Sequence, residues 1–376
     1  MDSRKDDMDE AATTQQTEPG PPADQEAAAG DLLSGLCDDV LVHIPGLAEH
    51  ARDVVRTGAL SRRWRGLWRR VPALRFDSER WFKHGGSARG FMAFVDDTLA
   101  LRARSSGDGG LEQLEIFLLE WDGALRERKQ QLVPPPSVGI IGAAERWIWH
   151  AMRHGVKSFH FELELPDRGD AEETHVMALD ELPSSTKLEA MYLYLSHATV
   201  RLPATVAFAS LTDLTLEGLQ VAGDDVVLLA GLASAACCPV LHKLHMGFIT
   251  LVGEQKLVLD AGELTELSLA DVDGMGSLEL TTPSLRVLRI DGCKELESLA
   301  ASATPRLEKL ACQRNHHLLS IDRELPSVSR LKVDLYAYSG YRSIKLLQNC
   351  SSATCLSLEL HHSTVRTYIV SFYTHT

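Results

Sequence analysis

Residues 264–290 read LTELSLADVDGMGSLELTTPSLRVLRI. A leucine, two variable residues, an apolar residue, one variable residue and a third apolar residue occur twice in this stretch, as Leu264/Leu267/Leu269 and Leu285/Leu288/Ile290. Working outward, the template recurs at Leu241/Leu244/Met246, Leu307/Leu310/Cys312 and Val328/Leu331/Val333, so five copies start 23, 21, 22 and 21 residues apart. A weaker copy, Ala353/Leu356/Leu358, follows 25 residues on. Earlier copies at Leu111/Leu114/Ile116, Val156/Phe159/Phe161, Leu188/Met191/Leu193 and Leu211/Leu214/Leu216 are spaced less evenly, by 45, 32, 23 and then 30 residues. Each apolar-x-apolar pair predicts a short strand with both large side chains turned inward. One such strand cannot bury its face alone, but strands stacked about 4.8 Å apart make a parallel sheet over a continuous leucine column. A fully buried leucine contributes about 1.5–3 kcal/mol before chain entropy is subtracted. Pro239, Pro283, Pro305 and Pro326 stand in the turns entering strands, where their missing N–H does no harm. A period near 22 residues predicts an α/β leucine-rich solenoid, a curved parallel sheet of irregular repeats, over residues 156–362.

The rest of the chain is organised around that array. Its 376 residues would make two or three ordinary domains, or fewer if one is a repeat array. Residues 1–30 are acidic and nearly free of large apolar groups, and are expected to be a disordered tail. Residues 31–75 read as three short helices. Asp31 or Ser34 would cap an entry turn; Val40, Leu41 and Ile44 share a face of a helix that Pro45-Gly46 ends; a second helix covers about 48–57. Ser61 caps the third, in which Trp64, Leu67 and Trp68 form one buried stripe rimmed by arginines. So small a unit must lean on the rest of the chain or on a partner. A connector over 77–155 holds helices at about 88–104 and 143–154, loops at 105–110 and 130–139, and the first irregular repeat; residues 363–376 read as a C-terminal tail.

Composition narrows the function. A net charge of −14 argues against a general nucleic-acid or anionic-membrane binder. Seven cysteines without a CxxC pair suit reduced thiols in the cytoplasm or nucleus. The N-terminus has no apolar signal-peptide core, and the apolar run Val226–Leu241 is short for a membrane span and interrupted by Ser234 and Pro239.

Residues 31–76, DLLSGLCDDVLVHIPGLAEHARDVVRTGALSRRWRGLWRRVPALRF, resemble an F-box of the plant F-box/leucine-rich-repeat class. The likeness rests on the opening LxDDVL (Leu36, Asp38, Asp39, Val40, Leu41), on VVRT (Val54–Thr57), on LSRRWRxLW (Leu60–Trp68) and on VPALRF (Val71–Phe76). The segment AERWIWHAMRHGVKSFHFEL is similar to that family's connector into its solenoid. Two features depart from the pattern: Cys37 stands where the family has proline, and Pro45-Gly46 interrupts what is normally a longer apolar helix.

The resemblance implies a non-enzymatic substrate receptor, without cofactor or metal. Its F-box docks on a Skp-family adaptor, which hangs on a cullin scaffold with a RING subunit, and its solenoid captures a target protein for ubiquitination. Adaptor docking is expected at Leu36, Cys37, Val40, Leu41, Ile44, Val54, Val55, Leu60, Trp64 and Leu67. These same residues would also serve as the internal core of the helical unit. Target capture is expected on the concave face, at Lys243, His245, Glu266, Arg289, Asp291, Arg330, Lys332 and Asp334. The alternative is a scaffold whose F-box has lost its adaptor.

Fragments of catalytic motifs lack their partners. Cys237-Cys238 with His242 and His245 is split between a loop and a strand, which suits zinc poorly. His160-Phe161-Glu162 has no PCxxC after it, and Ser184–Lys187 contains SxxK without companion motifs. Gly274-Met275-Gly276 lacks the third glycine of a dinucleotide fingerprint. His316-His317 and His361-His362 read as turn residues facing solvent.

Overall fold

The structure, a computed structural model, describes residues 35–104, 110–119, 137–165, 176–301, 303–315, 320–336, 346–361 and 367–373. The expected tail at 1–30, the caps Asp31 and Ser34, most of both connector loops, and His316-His317 lie outside these residues.

Short helices open the described chain: α1 (Asp38–Leu41), α2 (His43–Gly46), α3 (Ala51–Arg56) and α4 (Trp64–Leu67). Pro45 does not abolish the helix it sits in, because it is the third residue of that helix, in the first turn, where no intrahelical bond uses the missing N–H. The Ser61 hydroxyl accepts the Trp64 N–H at 3.4 Å, as a cap should. Leu41, Trp64 and Leu67 form a core of their own with Val42 against it. Ala51, Val54, Trp68 and Val71 instead join the main core, so the head leans on the body. Arg63 reaches Asp38 at 2.7 Å and Arg70 reaches Asp39 at 2.6 Å, tying α1 to the third helical segment. Exposed pairs of this kind set orientation more than stability, at about 0–1 kcal/mol each.

Three more helices support the early strands. They are α5 (Ser78–Lys83), α6 (Ala88–Ala103) and α7 (Ser137–Arg153). The last begins inside the stretch read as a loop. Asp96 on α6 joins it to α7, accepting the Trp147 indole N–H at 2.7 Å and pairing with Arg146 at 2.8 Å. Helix α8 (Asp225–Leu232) lies within the repeats.

Strands follow the leucine template. They are β1 (Ala73–Asp77), β2 (Gln113–Leu118), β3 (Ser158–Leu163), β4 (Val176–Ala178), β5 (Ala190–Arg201) and β6 (Asp213–Ala222). Then come β7 (Lys243–Gly247), β8 (Thr250–Asp260), β9 (Glu266–Ala270), β10 (Asp273–Thr281), β11 (Val287–Asp291) and β12 (Ser298–Ala300). Last are β13 (Lys309–Gln313), β14 (Ser320–Ile321), β15 (Arg330–Tyr336), β16 (Cys355–His361) and β17 (Thr367–Tyr373).

One parallel ladder runs β1-β2-β3-β5-β6-β7-β9-β11-β13-β15-β16, all in one register. Its second position is a column from Leu74 through Leu114, Phe159, Met191, Leu214, Leu244, Leu267, Leu288, Leu310 and Leu331 to Leu356. The unevenly spaced early copies thus stack as regularly as the late ones, the extra residues leaving as helices and loops. The ladder begins at Ala73, within the stretch read as the end of the helical head.

A second parallel ladder forms the opposite wall. It joins β4 to the end of β5, the end of β6 to β8, and then β8, β10, β12 and β14. Leu257, Leu259, Leu278, Leu280 and Leu299 point from it into the core, which is therefore closed by strands on both sides. The corner between the walls is taken by residues at positive φ: Ser196, Gly218, Phe248, Asp271, Gly292 and Arg314. Their amides carry the ladder round the turn. The N–H groups of Phe248, Asp271 and Gly292 donate to the carbonyls of Ala270, Asp291 and Gln313, at 2.8, 2.7 and 3.0 Å. Gly274 is sterically fixed: at φ +77° a Cβ there would stand 2.0 Å from the Leu251 carbonyl oxygen.

Thr367–Tyr373, in the segment read as a tail, pairs antiparallel with β16. All seven cysteines are free, and Cys237, Cys238, Cys293, Cys312 and Cys350 are buried. Burial pushes the Cys293 thiol up to about 12 and the Cys350 thiol up to about 11.

Candidate functional site

Two surfaces stand out, one on the helical head and one on the first ladder. On the head, Val40, Ile44 and Leu47 are spaced as one helical stripe, yet that stripe faces solvent, with Leu47 83% exposed. Leu36 and Leu60, the latter 68% exposed, also face solvent on the head, and Cys37 is exposed beside Leu36. Of the residues expected to dock an adaptor, Leu36, Cys37, Val40, Ile44 and Leu60 are therefore available at the surface. Leu41, Val54, Trp64 and Leu67 are not; they are buried in the chain's own cores, and Val55 is half-buried against the main one. Leu47 was the missed member, although its distance from Val40 and Ile44 put it on their face.

On the ladder, the odd positions of each five-residue rung face outward. Lys243 pairs with Asp213 at 3.3 Å, Arg289 with Glu266 at 3.8 Å and Lys332 with Glu359 at 3.0 Å, each across neighbouring strands. Arg330 is exposed, and Asp291 is held by the Arg314 guanidinium at 2.6 Å. Asp334 corrects the expectation: it is only 4% exposed, and its Oδ2 accepts the Arg314 backbone N–H at 2.8 Å. The corner folds over this carboxylate, so it belongs to the turn rather than to the open face.

The early rungs carry a group that the sequence reading left aside. Phe117, His160 and Tyr192 follow one another across β2, β3 and β5. The Phe117 and His160 rings are 5.0 Å apart, and His160 stacks on Tyr192 at 4.2 Å. His160 Nε2 lies 2.6 Å from Glu162, and His245 Nε2 lies 3.1 Å from Glu217. The Tyr192 hydroxyl donates to Glu217 at 2.8 Å. Burial first, and this bond second, hold the Tyr192 phenol well above its usual range, so it stays a donor. The signal lay just past the third apolar residue of the weak copies, where Phe117, Glu162, Tyr194 and Glu217 stand.

Motif fragments resolve into structure. Cys237 and Cys238 lie 3.8 Å apart, sulfur to sulfur, buried away from the His245 rung. The Ser184 hydroxyl accepts the Ala207 N–H at 3.0 Å, and Gly274 shapes a strand. Among the described residues no cluster of three or more His, Cys, Asp or Glu is placed to hold a metal ion, and no helix is long and apolar enough to cross a membrane.

A helical head with an uncovered apolar stripe, fused to a ladder of leucine repeats, can be compared with known proteins. No family model matches the chain. It is 26% identical over 273 residues to an F-box/FBD/LRR-repeat protein of Arabidopsis thaliana, covering 70% of this chain and 46% of that protein. It is 25% identical over 313 residues to a probable FBD-associated F-box protein of the same plant, covering 81% of this chain and 66% of the relative. An F-box/LRR-repeat protein, also from Arabidopsis thaliana, is 26% identical over 313 residues and is covered over 90% of its length. The chain is related to plant F-box/leucine-rich-repeat proteins. Its match spans about half the first of these relatives.

Proposed function

We propose that this chain is the substrate-recruiting subunit of a cullin–RING ubiquitin ligase. The F-box stripe of Val40, Ile44 and Leu47, with Leu36 and Leu60, docks on a Skp-family adaptor, and the open face of the repeats holds a target protein. The chain then does no chemistry itself; it raises the effective concentration of a target lysine near the charged conjugating enzyme. The reading carries with it a cytoplasmic or nuclear location.

The observation that supports it most is the stripe left in water by a head that buries Leu41, Trp64 and Leu67. Covering a Leu, Ile or Val side chain contributes about 1.5–3 kcal/mol, so a few of them suffice for a stable contact. The test is a pull-down of the full chain with a purified Skp-family adaptor. We expect micromolar or tighter binding that Val40→Glu combined with Leu47→Glu abolishes, at an unchanged melting temperature. Absence of wild-type binding at micromolar concentration overturns the ligase reading and leaves the scaffold.

A further inference from the structure

The open face of the ladder is divided by charge and by ring content. On the rungs from β1 to β6 the outward positions hold Asp77, Glu115, Glu162, Asp213 and Glu217 against a single cation, Arg75. The same rungs carry Phe117, Tyr192 and Tyr194. From β7 to β13 the outward positions mix both signs and, among the described residues, hold no phenylalanine, tyrosine or tryptophan. Among the described residues no lysine or arginine pairs with Glu162 or Glu217; their partners are His160, Tyr192 and His245. Hydrogen bonds from these neighbours orient the two carboxylates.

The chain shows what such a surface accepts. Arg75 lies over the Phe117 ring at 4.3 Å while its guanidinium pairs with Glu115 at 3.1 Å. A planar cation is thus held by a ring and a carboxylate of one neighbouring rung, β2, the combination that suits arginine better than lysine. The fifth position repeats these elements along the face, as Asp77, Phe117, Glu162, Tyr194 and Glu217. Its carboxylates recur every second rung, about 9.6 Å apart, which matches one turn of an extended polyproline II chain, three residues at about 3.1 Å each, and that helix sets every third side chain on one face.

We infer that the β1–β6 arc of the open face is the seat of an extended target segment bearing arginine at every third residue. The inference rests on the reading of the repeats as the target-holding part. Asp77 contributes field more than contact, since its carboxylate also accepts the Arg80 N–H at the start of α5. Glu162, Tyr194 and Glu217 form the centre of the seat.

The test uses the full chain and a fluorescein-labelled peptide with arginine at every third residue, read by fluorescence anisotropy. Its twin carries citrulline, which keeps the shape and removes the charge. We expect the arginine peptide to bind, the citrulline peptide to bind at least about tenfold more weakly, and Glu162→Gln with Glu217→Gln to weaken the arginine peptide about tenfold or more. Glu295→Gln with Glu297→Gln removes the same charge from exposed residues outside the arc, and should leave binding within about twofold. Should the first pair fail to fold, Phe117→Leu keeps apolar bulk, removes the ring and should cost about threefold. Equal loss from both glutamate pairs, or equal binding of both peptides, overturns the inference in favour of diffuse attraction to an acidic chain. The adaptor pull-down and the peptide titration, both on the wild-type chain, separate the two readings. Adaptor bound without peptide sinks only the seat, and peptide bound without adaptor sinks only the ligase.

Discussion

His150 shows how one residue sets a pH limit. It lies on α7 beside His154, their rings 4.1 Å apart. Burial first, and the neighbouring His154 second, draw it down to about 4. Burial and Arg153 draw His154 down as well. Between about pH 6.5 and 4 the unfolded chain therefore binds protons that the folded chain refuses, so stability is full above the upper limit and is lost as pH falls through the window. We expect urea unfolding to show a decline on the order of 1 kcal/mol there, the shift being discounted for partial exposure, and His150→Gln to flatten it. Asp334 shows what single residues hide from sequence. Its place in the template equals that of Asp291, but the corner residue ahead of it aims a backbone N–H at Asp334 and a guanidinium at Asp291. Both corners have positive φ, at Asp271 and at Arg314; they differ in what the corner N–H reaches, the main-chain carbonyl of Asp291 or the carboxylate of Asp334.

At the scale of elements, the first ladder was legible because its apolar pairs recur at a near-constant interval. The helices α6 and α7 were legible from their aromatic and aliphatic stripes. The second wall was harder to read. Leu257-x-Leu259 and Leu278-x-Leu280 alternate as the first-wall strands do, but they occupy what the template treats as the variable part of each repeat. The walls should carry equal weight. Leu278, on β10, and Leu288, on β11, are equally buried, so replacing either by alanine should cost about 2–5 kcal/mol in chemical denaturation. A much smaller loss at Leu278 would mean that the second wall only lies against the core. The adaptor stripe was legible in composition but not in direction. Periodicity identifies one apolar face on α1 and α2, and cannot tell whether the chain or a partner covers it.

For the whole molecule, stability is close to a sum over neighbouring repeats, so the ends matter. The first edge, β1, is packed against α3. The last parallel edge, β16, is covered by β17. Deleting Thr367–Tyr373 should uncover that edge and convert a monodisperse protein into one that self-associates, as light scattering would report; an unchanged particle size would show that the edge needs no cover. The two walls also govern shape. An α-helix is about 10 Å across, whereas a row of strands advances about 4.8 Å per repeat. Repeats backed by α7 or α8 are thus wedges, and repeats with strands front and back are parallel-sided slabs. Curvature should therefore be greater where α7 and α8 back the sheet than where β8, β10, β12 and β14 do, and a cargo gripped along both stretches would have to change direction between them.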